Sequence, residues 1–204
     1  MCYGFPMLTR HLLPLAALIS MIGCNRNAAS PMNQSADANT SSPTVAVRLI
    51  GPGGNPGPVT EVPRVVKSDA AWEKQLGTEA YRVLRAKGTE APFCGNLLDN
   101  HREGVYFCAG CDLPLFSSGA KFHSGTGWPS FYQPFAKENI TELRDGSLGM
   151  ERTEILCARC GGHLGHVFSD GPAPTGLRYC LNSVALVFRD EADVRKMAPE
   201  AVKP

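Results

Sequence analysis

Between Cys157 and Asn182 the chain reads CARCGGHLGHVFSDGPAPTGLRYCLN, so two paired cysteines, two histidines, a lone cysteine and an amide fall in one short stretch. Cys157 and Cys160 form a CxxC that matches an earlier one at Cys108 and Cys111, and four thiolates in two knuckles are a ligand set for tetrahedral zinc. A closed four-cysteine site stabilises a fold and keeps no position for an activated water. Cys180 is a thiol of another kind. If residues 177–187 are extended, alternation puts Arg178, Cys180 and Asn182 on one face and Tyr179, Leu181 and Ser183 on the other. A guanidinium beside a thiol favours the thiolate, and an amide two residues on can hydrogen-bond whatever the thiolate attacks. His163 and His166, three apart after Gly161 and Gly162, can donate a proton to a leaving oxygen near neutral pH. Each residue alone also has an ordinary reading: a satisfied structural histidine, or an inert cysteine in an apolar strand. For Trp128 in SGTGWPSF the choice lies between an apolar wall for a sulfur-bearing group and an indole that anchors its loop.

Of the eight cysteines, Cys2 and Cys24 belong to an N-terminal segment and four to the knuckles, which leaves Cys94 and Cys180. An exported chain this rich in cysteine could be a disulfide scaffold, but two matched CxxC pairs fit metal binding better. With 204 residues, of which 21 are Gly and 16 Pro, the chain accommodates one domain of ordinary size. Lys and Arg number 20 against 19 Asp and Glu, and so even a balance argues against nucleic acid as a partner. Function must then rest on local chemistry.

The elements that would position these residues can be read in order. Residues 1–23 pair Arg10 and His11 with the apolar run LLPLAALISMIG, a signal-peptide pattern too short to span a bilayer comfortably. Met21-Ile22-Gly23-Cys24 resembles the lipobox of bacterial lipoproteins, which makes Cys24 the expected site of a membrane lipid anchor and the protein exported to the periplasm or cell envelope. An ordinary cleaved signal or an N-terminal membrane anchor are the alternatives. Residues 24–63, closing in GPGGNPGP and beyond, read as a flexible linker. Ser68 and Thr78 are expected to cap two small helices within residues 68–88, with Gly88 as the stop. Strands are expected at 105–108, 113–116, 140–143, 151–156 and 184–188, with Asp145-Gly146 as a hairpin turn. The expected domain spans 64–192 and a tail spans 193–204. The fold class is mainly β: two antiparallel sheets with small N-terminal helices and a structural zinc site.

The run of CxxC, SGTGWPSF, CxxCGGHLGHVF and RYCLNS, in this order and spacing, resembles the methionine sulfoxide reductase B family over roughly residues 69–190. The resemblance implies two antiparallel sheets, one structural zinc on Cys108, Cys111, Cys157 and Cys160, and reduction of the R epimer of methionine sulfoxide in oxidised proteins. Position by position it makes Cys180 the nucleophile, puts His163, His166 and Asn182 around the sulfoxide and sets Trp128 against the substrate methyl. Many family members carry a second cysteine where Thr126 stands here. Cys94, the remaining unassigned cysteine of the domain, is therefore the expected resolving thiol, recycled by a thioredoxin-like reductant. A zinc-ribbon binding module without catalysis is the main alternative and would need a basic or aromatic patch. A zinc hydrolase would need an open metal position.

Overall fold

The computed structural model describes residues 43–197, apart from the Leu148 side chain. The expected signal segment, Cys2, the lipid-anchor position Cys24 and residues 198–204 lie outside the described residues.

Every strand pairing is antiparallel. The six-stranded sheet has, in spatial order, β5 (Lys121–Phe122), β6 (Ser130–Phe131), β10 (Arg178–Leu181), β9 (His163–Phe168), β8 (Arg152–Cys157) and β7 (Ile140–Asp145). The second sheet is three-stranded, with β3 (Gly104–Cys108) between β11 (Leu186–Asp190) and β4 (Pro114–Ser117). Val105, Tyr106, Phe107 and Cys108 are all buried, as a continuous apolar run in a strand covered on both faces requires. Aromatic rings tie the two sheets together: Tyr106 meets Phe131 edge-on at 4.9 Å, and Phe116 lies 4.7 Å from Phe131 and 5.7 Å from Tyr179. Such pairs contribute beyond the area they bury.

The two expected helices are present as the two halves of α1 (Asp69–Leu84), separated at Gly77, whose φ of 72° and ψ of 169° are not helical. Ser68 accepts from Ala71 N as the cap, and Trp72 carries the buried face. The helix ends at Leu84, short of Gly88.

Three expectations are corrected. Residues 44–63, expected within the flexible linker, form a hairpin of β1 (Thr44–Ile50) and β2 (Pro56–Pro63). Val47 is fully buried in the main core, and the wholly buried amide of Asn139 donates to Arg48 O (2.7 Å) and accepts from Arg48 N (2.7 Å). The chain does not run extended from 177 to 187. β10 stops at Leu181, a 3-10 turn covers Ser183–Ala185, and β11 continues in the other sheet. Lastly, the expected tail begins inside a short helix, α2 (Glu191–Met197), anchored by buried Val194.

Candidate active site and metal centre

Cys180 sits on β10 with its neighbours sorted by alternation. Tyr179 and Leu181 enter the main core, and Cys180 faces the other way, half-buried and directly across the ladder from His166 on β9. The strands can seat this closely because position 165 is glycine, where a Cβ would fall 2.1 Å from the Cys180 carbonyl oxygen. The thiol opens into a cavity of about 130 Å³ whose lining includes Trp128, His166, Asn182, Arg152 and Thr89.

Burial pushes the Cys180 thiol above its ordinary value. The Thr126 hydroxyl, 3.8 Å from Sγ, and then Arg178 and Ser130 pull it back without overcoming burial. The expectation that Arg178 favours the thiolate thus has the right sign but is outweighed. Arg178 itself is held by Asp170 through two bonds of 2.9 Å and lies over the Phe168 ring.

The two histidines are each fixed by a carboxylate. An ionised carboxylate only accepts, so His166 Nε2–H donates to Asp145 Oδ2 (2.7 Å), which also accepts from Arg152 Nη2 (2.7 Å). Asp145 stays well below the usual carboxylate range, held there first by Ser147 and then by His166 and Arg152. A carboxylate on one ring nitrogen fixes the ring and aims the other nitrogen. His163 is buried behind, its ring 5.5 Å from that of His166, and donates through Nδ1 to Glu154 Oε1 (2.7 Å). Burial lowers the His163 pKa, and Glu154 opposes the shift. His163 is not among the residues lining the cavity.

Asn182 lines the cavity, but its amide is also structural: Nδ2 donates to Leu164 O (3.0 Å) and Oδ1 accepts from Glu90 N (2.9 Å). Glu90 is buried and holds the site from behind. Its carboxylate accepts from Ser183 N (2.6 Å) and Val184 N (3.2 Å), and its carbonyl accepts from the Trp128 indole (3.1 Å). Trp128 is therefore the loop anchor considered above, and it also lines the cavity. Cys94 is exposed and lines a different depression, with Ser183 and Val184. Cys180 is a free thiol, so a Cys94–Cys180 bond is not the state seen here.

Cys108 closes β3, Cys157 closes β8, and each is followed by a tight turn that carries its CxxC partner, with Asp112 N donating to Cys108 O and Gly161 N to Cys157 O. All four sulfurs lie within 4.8 Å of one another, with Cys108–Cys160 at 3.6 Å and Cys111–Cys157 at 3.4 Å. Tetrahedral zinc with bonds of about 2.3 Å needs sulfurs about 3.8 Å apart, so the donor set fits zinc. The contact with Cys111, then those with Cys157 and Cys160, and burial push the Cys108 thiol well up.

Four carboxylates of the site were not legible as such. Asp145 looked like a turn residue and Glu154 like one polar position on a strand, while Asp170 and Glu90 gave no signal of partners distant in sequence.

A reactive thiol set against a carboxylate-bound histidine on paired β-sheets defines a protein whose chemistry runs through cysteine. Residues 76–190 match the SelR domain, and the chain belongs to that family, the peptide methionine sulfoxide reductase B family. It is 59% identical over 127 residues to the peptide methionine sulfoxide reductase MsrB of Leptospira interrogans, covering 62% of this chain and 97% of that one. It is 57% identical over 129 residues to the MsrB of Methanosarcina barkeri (63% and 91% covered) and 56% identical over 126 residues to that of Agrobacterium fabrum (62% and 93%).

Proposed function

We propose that the chain reduces methionine R-sulfoxide in oxidised proteins to methionine, with Cys180 as nucleophile. The observation that carries this is the cavity in which Cys180, His166, Trp128 and Asn182 meet. The Cys180 thiolate attacks the sulfoxide sulfur. His166, oriented by Asp145, donates a proton to the oxygen, which passes to Cys180 as a sulfenic acid while methionine leaves. Trp128 offers its apolar face to the methyl group and the second N–H of Asn182 offers a donor to the oxygen. Arg178 opposes the cost of ionising a half-buried thiol. Zinc on Cys108, Cys111, Cys157 and Cys160 supplies stability rather than chemistry. The decisive test is Cys180→Ser assayed on both epimers with dithiothreitol. Wild type should act on the R epimer alone and the variant on neither; substantial turnover by the variant removes Cys180 from its role.

Recycling follows from the sulfenic acid. Cys94 is itself disulfide-bonded in this structure, so it serves this step once reduced: its thiol then condenses with the sulfenic acid, releasing water and leaving a disulfide that a thioredoxin-like dithiol reduces. Disulfide geometry requires the two Cα atoms within about 7 Å, and the two cysteines line different cavities. Loss of two thiols per methionine formed, reduced to one in Cys94→Ser, supports this route, whereas unchanged thiol loss in the variant rejects it. The apolar run ending at Cys24 supports an exported, envelope-located protein held to a membrane by lipid on that cysteine. Cys24→Ala should release it into the soluble fraction.

A further inference from the structure

A second cavity, of about 350 Å³, lies along the 93–102 segment and the 118–129 loop and shares Trp128 with the Cys180 cavity. Its wall is apolar where it meets Trp128 and Phe122. Elsewhere it carries the basic side chains Arg102, Lys121, His101 and His123, against Asp99 as the one acidic lining residue. Arg102 is pre-oriented: its guanidinium lies 4.7 Å over the Phe188 ring and Nε donates to Asn100 Oδ1 (3.3 Å), so among the described residues both Nη groups remain for a carboxylate. Lys121 is pinned by Leu98 O (2.6 Å) and Asn100 O (3.1 Å), which leaves one of its three protons.

Phe93 is the independent sign that something binds here. It is 67% exposed and takes a φ of 62°, a left-handed backbone that an aromatic residue adopts only at a cost, fixed by its N–H to Gly127 O (2.8 Å). Exposed apolar area and backbone strain both work against stability, and such strain collects where a chain handles ligands. The strained residue lines this cavity and its ring packs on Gly127, next to Trp128.

We propose that this cavity receives the residue of the substrate polypeptide flanking the oxidised methionine and selects an acidic side chain there. The backbone of that residue would pass over Phe93 and Trp128, and its carboxylate would reach Arg102 with Lys121 and the histidines in support. The inference rests on the reading of the Cys180 cavity as the sulfoxide site.

The test uses the full chain, dithiothreitol and short blocked peptides carrying methionine R-sulfoxide flanked on either side by Glu, Gln or Lys, with N-acetylmethionine R-sulfoxide methylamide as a substrate too small to reach the cavity. Wild type should show kcat/KM about fivefold higher for Glu than for Gln on one side, the upper range for a partly exposed ion pair, with Lys lowest. The preference should vanish in 0.5 M salt and in Arg102→Gln, while the small substrate changes less than twofold. His123→Gln serves as a second variant and should weaken the preference partly. Equal rates for Glu, Gln and Lys peptides overturn the proposal, as does a Glu preference that survives both Arg102→Gln and salt. No turnover of the small substrate by wild type would instead defeat the assignment of the sulfoxide site.

Discussion

Glu90→Gln is a nearly isosteric change that separates packing from charge at the back of the site. The native carboxylate accepts from Ser183 N at 2.6 Å and Val184 N at 3.2 Å, using both oxygens. Glutamine keeps one acceptor and turns an NH₂ toward the other amide, so one buried N–H loses its partner and one charge-assisted bond becomes neutral. Hydrogen bonds to charged groups contribute about 1.5–3 kcal/mol, and an orphaned buried donor costs about 1–3 kcal/mol. The expected loss is therefore about 2–4 kcal/mol, or about 4–16 °C in Tm for a domain of this size. The variant cannot relax easily, because Gly95 is packed against both Ser183 and Glu90 Oε1. The same carboxylate fixes the turn after Asn182, and the Glu90 backbone holds both the Asn182 amide and the Trp128 indole. A shift there should lower kcat/KM about tenfold or more, since small misplacements of positioning groups are costly in rate. Urea denaturation and kinetics on the same preparation check both. A variant within 0.5 kcal/mol of wild type, with unchanged kcat/KM, would refute the role given to Glu90.

Cys108→Ala should lose its metal and its cooperative unfolding transition, read by metal analysis and circular dichroism; a metal-free chain with the wild-type Tm would remove zinc from the account. Acid should destabilise the fold in two steps. His163 is held below its ordinary 6.5 by burial, so the unfolded chain binds the extra proton, and that contribution is lost as pH falls from 6.5 through the folded value. Burial alone would raise Glu154, but Lys87 and His163 bring it below 4.5, so a second loss begins under that pH. His163→Gln should remove the first step from urea midpoints measured between pH 7.5 and 4, and a first step unchanged in the variant contradicts the assignment. Thr126→Cys should form a disulfide with Cys180 after one turnover, because Oγ1 of Thr126 already lies 3.8 Å from Sγ; persistence of a trappable sulfenic acid in that variant would count against this geometry.

The sequence was most informative where a local rule leaves little choice. Paired CxxC motifs announced four sulfurs in one place, Asp145-Gly146 announced the hairpin between β7 and β8, and alternation sent Tyr179 and Leu181 to the core and Cys180 to the cavity. It was misleading where tertiary partners decide. The hairpin at residues 44–63 is rich in Pro and Gly and lacks a clean period; it is held by Asn139 and Glu138, and Arg64 and Val65 just beyond it bond to the knuckle carbonyls of Ala158 and Arg159. The break after Leu181 is invisible in RYCLNSVALVF because both sheets accept its apolar residues. What stops the strand is Asn182, whose backbone N–H and side-chain amide both bond to Leu164 O, and Glu90, whose carboxylate takes the next two amides. Charge at a site also escapes reading when the partner is distant: Asp145 and His166, or Glu90 and Ser183, are joined only by folding.

The crossing of β10 into β11 also sets an order of assembly. β11 pairs with β3 along its whole length, Leu186 facing Cys108 and Asp190 facing Gly104, so the central strand of the small sheet waits for a partner from the far end of the chain. Until that late strand arrives, β3 has one neighbour and the first knuckle lacks the bond from Ala109 N to Ala185 O. Closing so long a loop is slow. A chain cut short before Leu186 would still carry Cys180, Trp128 and Asn182, but the sheet behind them would lack one of the two neighbours of its central strand.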